Sequence, residues 1–117
     1  MSSSALKAAV TDFDRLPIPA GIVELDGTIL HVNEAGTKLL GRPEDQLAGR
    51  KAWAFAPGAE YIWEGLVQIV RDQGEARNEI TVATPKGPRK IQYLVVMRHH
   101  EDRPLLLMFA LEQAAAP

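Results

Sequence analysis

Three histidines, His31, His99 and His100, are the side chains of this sequence best suited to proton transfer or metal binding. His31 falls in the middle of a β-favouring run as a lone histidine without a carboxylate partner, which reads as a half-buried or outward strand residue rather than a ligand. His99 and His100 are adjacent, and adjacent residues on a strand point to opposite faces, so the pair cannot clamp one metal ion. No metal site is expected. Ser2, Ser3 and Ser4 are the only serines, and no Gly-x-Ser-x-Gly elbow is present, so nucleophilic hydrolysis has no residue to carry it. Glu24, Asp26, Glu34, Glu44 and Asp45 fall at turns and helix starts, where capping and the helix dipole explain acidic side chains. The glycines are dispersed and match turns and caps, not a phosphate-cradling loop. There is no cysteine, which excludes disulfides, thiolate metal sites, cysteine nucleophiles and a thiol-linked chromophore. These residues argue for a protein that is not an enzyme.

The whole chain sets further bounds. Its 117 residues, 46% hydrophobic and 24% charged, suit one domain with a single core. Thirteen Lys and Arg against fifteen Asp and Glu leave a net charge of -2, which gives no electrostatic case for nucleic acid or an anionic membrane surface as partner. The densest basic group, Lys86, Arg89 and Lys90, reads as a solvated turn. The start MSSSALKAAV is not a secretory signal, and no run approaches the ~20 apolar residues of a membrane helix, so a cytoplasmic location is expected.

Any functional side chains must be positioned by short elements. Leu6, Ala9, Val10 and Phe13 recur at helical spacing behind Ser4, predicting an amphipathic helix over Ser4–Asp14 that the Leu16-Pro17-Ile18-Pro19 stretch ends. Ile22–Leu25 and Thr28–Val32 read as strands joined by a tight Asp26-Gly27 turn. Asn33 is placed to cap a helix carrying Ala35, Leu39 and Leu40, with Gly41 as its left-handed stop. Pro43-Glu44-Asp45 predicts one further helical turn. A longer helix is expected over Ala59–Gln73, with Ile62, Trp63, Leu66, Ile69 and Val70 on one face and Gly74 as C-cap. Three strands follow, about Asn78–Ala83, Arg89–Arg98 and Leu105–Leu111, linked by turns at Pro85–Pro88 and His100–Pro104.

The order of two strands, several short helices, one longer helix and three strands resembles that of the PAS domain. The local words agree: Leu16-Pro17 into Gly21-Ile22-Val23, then Asp26-Gly27-Thr28-Ile29, Asn33-Glu34-Ala35, Leu40-Gly41, Glu44-Asp45-Gln46-Leu47 and Gly49-Arg50. Arg42 departs from the pattern, since many relatives carry an aromatic residue there, and the Asp-Ile-Thr type ending is missing. The resemblance implies an α+β fold: a five-stranded antiparallel sheet of order 2-1-5-4-3, with short helices and one longer helix on one face around a small cavity. It divides the chain into an N-terminal cap helix over 1–15, the PAS domain over 16–111 and a C-terminal tail over 112–117. It further implies a sensory and dimerisation module linked to, or associated with, a signalling output domain, as in a two-component sensor kinase, a cyclase or a transcription regulator. Flavin-binding relatives use a cysteine where this chain has Gly49–Phe55, and haem-binding relatives use a helix histidine that Ala59–Gly74 lacks, which argues against both cofactors.

Trp53, Phe55, Tyr61, Trp63 and Leu66, with Met97 and Phe109, surround the position where the resemblance puts the cavity, either filling it or lining a pocket for a small apolar or flat ligand. The strand segments Ile91–Met97 and Leu105–Leu111 are apolar at both alternating sets of positions, so both sheet faces need cover. Leu6, Val10 and Phe13 of the first helix, with Leu94, Val96, Leu106 and Met108 of the outer sheet face, are therefore expected to form a homodimer interface. Two other readings remain: a small α+β cone enzyme of the isomerase or dehydratase type, for which Tyr61 and Tyr93 lack an evident acid partner, and an interaction module that takes no ligand.

Overall fold

The computed structural model describes residues 13–111. Of the helix expected over Ser4–Asp14 only Phe13 and Asp14 are described; its other positions, Leu6 and Val10 among them, and the tail 112–117 lie outside the described residues. Strands β1 (Ala20–Glu24), β2 (Ile29–Val32), β3 (Glu75–Thr84), β4 (Gly87–His100) and β5 (Arg103–Leu111) form one antiparallel sheet in the order β2-β1-β5-β4-β3, as expected. Helices α1 (Glu34–Leu40) and α2 (Trp63–Gln73) are separated by three single-turn 3-10 helices at Glu44–Gln46, Ala52–Ala54 and Ala59–Tyr61. Among the described residues no helix is long and apolar enough to cross a membrane.

A short polar residue starts α1 and a glycine stops it. The Asn33 side chain accepts the Gly36 N–H at 2.8 Å and so holds the first turn of α1. At the other end Gly41 adopts φ 69° and returns its N–H to the Thr37 carbonyl at 2.8 Å. A side chain there would be strained by the backbone and would also collide with Pro85, so this stop doubles as a contact between α1 and the β3–β4 turn. The expected turn after Pro43 is the 3-10 helix Glu44–Gln46, which seats Leu47 beyond the reach of solvent.

The single long helix expected over Ala59–Gln73 is two elements. A 3-10 turn places residues three apart on one line, so Ala59 and Ile62 share the inward side while Tyr61 swings out to 88% exposure. From Trp63 onward the α-helical period resumes, and Trp63, Leu66 and Val70 sink into the sheet. Each of these burials is worth about 1.5–3 kcal/mol against exposure. Together with Val23, Ala76, Tyr93, Val95 and Leu106 they make the main core.

The β4–β5 turn sets which side chains face that core. Glu101 and Asp102 both take positive φ, 53° and 64°, the signature of a two-residue turn whose twist suits a hairpin. It pairs His100 with Arg103, hence Val96 with Leu107 and Val95 with Met108. Tyr93, Val95, Met97, Leu106 and Met108 consequently share the inner face, while Leu94, Val96, Leu105, Leu107 and Phe109 share the outer one. Leu94 and Val96 lie where expected, but Leu106 and Met108 lie on the opposite side from the proposed interface. In a strand apolar at every position, alternation carries no parity, and only the turn supplies it.

The outer face is itself divided. Toward β1 and β5 it carries Ile22, Leu105, Leu107 and Phe109, on which Phe13 is packed. Toward β3 it carries the exposed Glu75, Arg77, Glu79, Thr81, Lys90 and Gln92.

Candidate functional site

A cavity of about 160 Å³ lies between the inner face of the sheet and the helices. Its floor is Val23 of β1, Ile80 and Val82 of β3, Ile91 and Tyr93 of β4 and Met108 of β5. Its walls come from α1 through Leu39 and Leu40, from the 3-10 turns through Ala52, Phe55 and Ala59, and from α2 through Trp63 and Leu66. Small residues leave the space open. Gly21 and Ala110 occupy the floor beside Val23 and Met108, and Ala52, Ala56 and Ala59 stand where larger side chains would fill it.

The one hydroxyl among the lining side chains is that of Tyr93, whose phenol is pushed above its ordinary pKa of 10.0 by burial, with a hydrogen bond to Asn78 acting the other way. The Trp63 indole N–H is already committed to the Leu25 carbonyl at 2.8 Å. No carboxylate borders the cavity, so Tyr93 has no acid or base partner there and the convergent pair of a cone enzyme is not assembled among the lining residues. The space is below the roughly 300–1,000 Å³ of a drug-sized site and near the ~150 Å³ at which an apolar protein cavity accommodates a single aromatic ring.

Of the expected pocket residues, Phe55, Trp63 and Leu66 line this cavity. Phe109 also borders it, but its ring belongs to the outer face, 6.1 Å from the ring of Phe13. Three others are elsewhere. Trp53 packs edge-on against Trp63 at 5.6 Å, with the Lys51 ammonium 5.7 Å from its ring, and supports the wall from behind. Tyr61 faces solvent because the 3-10 turn directs it outward. Met97 is on the inner face and packs against the main core, but does not border the cavity.

Conversely, Met108, expected on the outer face, is part of the floor. Ile62, Ile80, Val82, Ile91 and Tyr93 were not anticipated as lining residues. The alternation Ile80-x-Val82 and Ile91-x-Tyr93, among polar neighbours, is the pattern that marks the inner positions of that hairpin.

Asn33 fixes where this wall meets the sheet. It is completely buried, accepts from Ala20 N–H at 2.9 Å and donates to the Ile18 and Phe13 carbonyls at 2.9 and 3.3 Å. Phe55 is held at the opposite end, where Ala83 N–H donates to its carbonyl at 2.9 Å and the Arg42 and Arg50 guanidiniums lie 5.6 and 5.9 Å from its ring. Among the described residues no cluster of three metal-ligating side chains has a geometry that could hold an ion.

A family model described as the PAS fold matches residues 13–112. No curated protein matches the chain significantly. A solved PAS domain from a two-component sensor histidine kinase superposes with a TM-score of 0.78 at 15% identity, covering 97% of this chain and 100% of that one. The PAS domain of a protein from Colwellia psychrerythraea gives 0.79 at 20% identity, with 96% and 99% covered. A domain of the sensory box sensor histidine kinase/response regulator from Geobacter sulfurreducens gives 0.74 at 19% identity, with 92% and 94% covered. At such identities the structural likeness is one of fold. The family match spans the whole described region; the chain belongs to the PAS fold family.

Proposed function

We propose that this PAS domain is the sensory input module of a cytoplasmic signal-transduction protein, and that it admits a small, uncharged, apolar molecule into the cavity beneath α2. The observation that carries this reading is a space of about 160 Å³ bounded by apolar side chains and left open by alanines and a glycine in strands β1 and β5 and in two of the 3-10 turns. A core selected only for stability would fill such a space, since each cubic ångström of cavity costs about 24 cal/mol. The similarity to PAS domains of sensor histidine kinases supports a module that senses and does not catalyse, acting on a linked or associated output domain.

In the same reading two copies associate through the apolar half of the outer face, centred on Leu94, Val96, Leu107 and Phe109. These side chains are only partly covered by the described residues, and the charged half beside β3 leaves the contact a defined edge.

Native mass spectrometry of freshly purified protein, with toluene titration followed by thermal unfolding, tests the ligand reading. The expected result is a bound small molecule or, for empty protein, a midpoint raised by toluene; saturation at 100 Kd corresponds to roughly 2.7 kcal/mol. Leu66→Trp, which fills the cavity from α2, should abolish the toluene effect while the circular dichroism stays unchanged. Empty wild-type protein that toluene does not stabilise would defeat the ligand reading in favour of a ligand-free interaction module.

A further inference from the structure

His31 lies where β2 bulges. Ile22 is opposite His31 while the next β1 residue, Val23, is opposite Ile29, so Leu30 and His31 share one β1 position. The bulge turns His31 to the outer side of the sheet, against the Phe13 ring at 6.0 Å, with 15% of its side chain exposed. There it has the carboxylate partners that sequence proximity does not reveal. Its Nε2 is 2.7 Å from Oδ1 of Asp14, and its Nδ1 contacts Oε1 of Glu44. One imidazole thus joins three separate parts of the chain: the segment entering β1, strand β2, and the 3-10 turn that follows α1.

A neutral imidazole has one N–H and one bare lone pair, whereas an ionised carboxylate only accepts. With a carboxylate on each ring nitrogen, the neutral ring satisfies one contact and sets lone pair against lone pair in the other. Both are satisfied only when the ring carries two protons. Phe13 packs on the ring, with Ile22 of β1 opposite and Leu30 beside it on β2, and among the described residues neither Asp14 nor Glu44 forms an ion pair with a Lys or Arg.

We propose that Asp14, His31 and Glu44 form a second input site of this module, one for protons, on the side of the sheet away from the cavity. Protonated, the site clamps Phe13–Asp14 onto the outer face. Deprotonated, it releases Asp14 and loosens the segment that the Ile18 and Phe13 carbonyls tie to Asn33, and through Asn33 to the cavity wall. The sign follows from the charges. The clamp needs both ring protons and both ionised carboxylates, and it is lost in any form of the site that lacks one of them. This inference stands whether or not the cavity takes a ligand.

Native-state hydrogen exchange of the full chain, corrected for intrinsic rates, tests it at the amides of Leu16, which bonds the Phe13 carbonyl, and Ala20, which bonds Asn33. Opening at these two amides should be roughly three- to tenfold more frequent at pH 8.5 than at pH 6, while the core amides of α2 do not change. His31→Gln, which cannot charge, should flatten that profile, and Glu44→Gln should reduce its amplitude. The ring itself is read directly in wild type: nitrogen chemical shifts at pH 6 should report both His31 nitrogens protonated. A single neutral tautomer at pH 6, or wild-type and His31→Gln exchange profiles that superimpose, would overturn the proposal.

Discussion

Asn33 carries more of the fold than any other single polar side chain described. Its oxygen accepts from two backbone N–H groups and its nitrogen donates to two carbonyls, all within a site closed to solvent. Asn33→Ala removes the cap of α1 and leaves the Ala20 N–H and Ile18 carbonyl unpaired. Each unpaired buried group costs about 1–3 kcal/mol, so the expected destabilisation is roughly 3 kcal/mol or more by chemical denaturation. A change under about 1 kcal/mol would mean that the network contributes little. Asp26 offers a second test. The Thr28 backbone N–H, the Thr28 hydroxyl and the Lys51 ammonium hold its carboxyl down from an ordinary 3.8 to about 2. A depressed carboxylate stabilises the fold above its unfolded-state pKa and loses that contribution as the pH falls from 3.8 to about 2. Acid titration of Asp26→Asn should accordingly show a shallower loss of stability across that interval than wild type does.

At the scale of elements, the β4–β5 turn decides more than its two residues suggest. Glu101 takes left-handed geometry that its side chain disfavours and Asp102 one that Asp tolerates less well than glycine, yet the turn sets the side-chain parity of β5 and with it both sheet faces. Replacing the pair with Asn-Gly, which suits both positions, should raise stability by roughly 0.5–1 kcal/mol without altering the register. The gain is measured by denaturant unfolding, and unchanged chemical shifts at Val95 and Leu106 verify the register. Gly41 is the complementary case. Gly41→Ala should destabilise by about 1 kcal/mol or more, because the added methyl meets both an unfavourable φ of 69° and the Pro85 ring.

On the scale of the whole molecule, the sheet has one packed face and one divided face, and two adjacent leucines of β5 report on them separately. Leu106 is fully buried against α2, so Leu106→Glu should unfold the domain, as expected of an unpaired charge placed in a core. Leu107 lies on the apolar half of the outer face. If that half joins two copies, sedimentation at micromolar concentration should find wild type dimeric and Leu107→Glu a folded monomer. A wild-type monomer at that concentration would sink the dimer. These opposite outcomes at neighbouring positions follow from one register, and an outer face read from Leu106 and Met108 would invert them.

Local rules were sufficient for much of this protein. The Asn33 cap, the Gly41 stop, the Asp26-Gly27 turn and the sheet order implied by the family resemblance all agree with the fold, because capping and turn chemistry act over three or four residues and are written in adjacent letters. Phe55, Trp63 and Leu66 could be placed at the cavity because the family resemblance located it, and Trp63 and Leu66 also share one face of a helix of clear period. Tyr61, Met97, Leu106 and Met108 could not be assigned correctly that way. Tyr61 depends on an α-helix that begins at Trp63 and not at Ala59; Leu106 and Met108 lie in a run, Leu105–Leu111, in which every residue is apolar, so no contrast marks the face; and Met97 shares the inner face but does not border the cavity. His31 is the plainest instance. Its carboxylates stand 17 and 13 residues away along the chain, and only the folded sheet, with a bulge in β2, sets them against the two nitrogens of one ring.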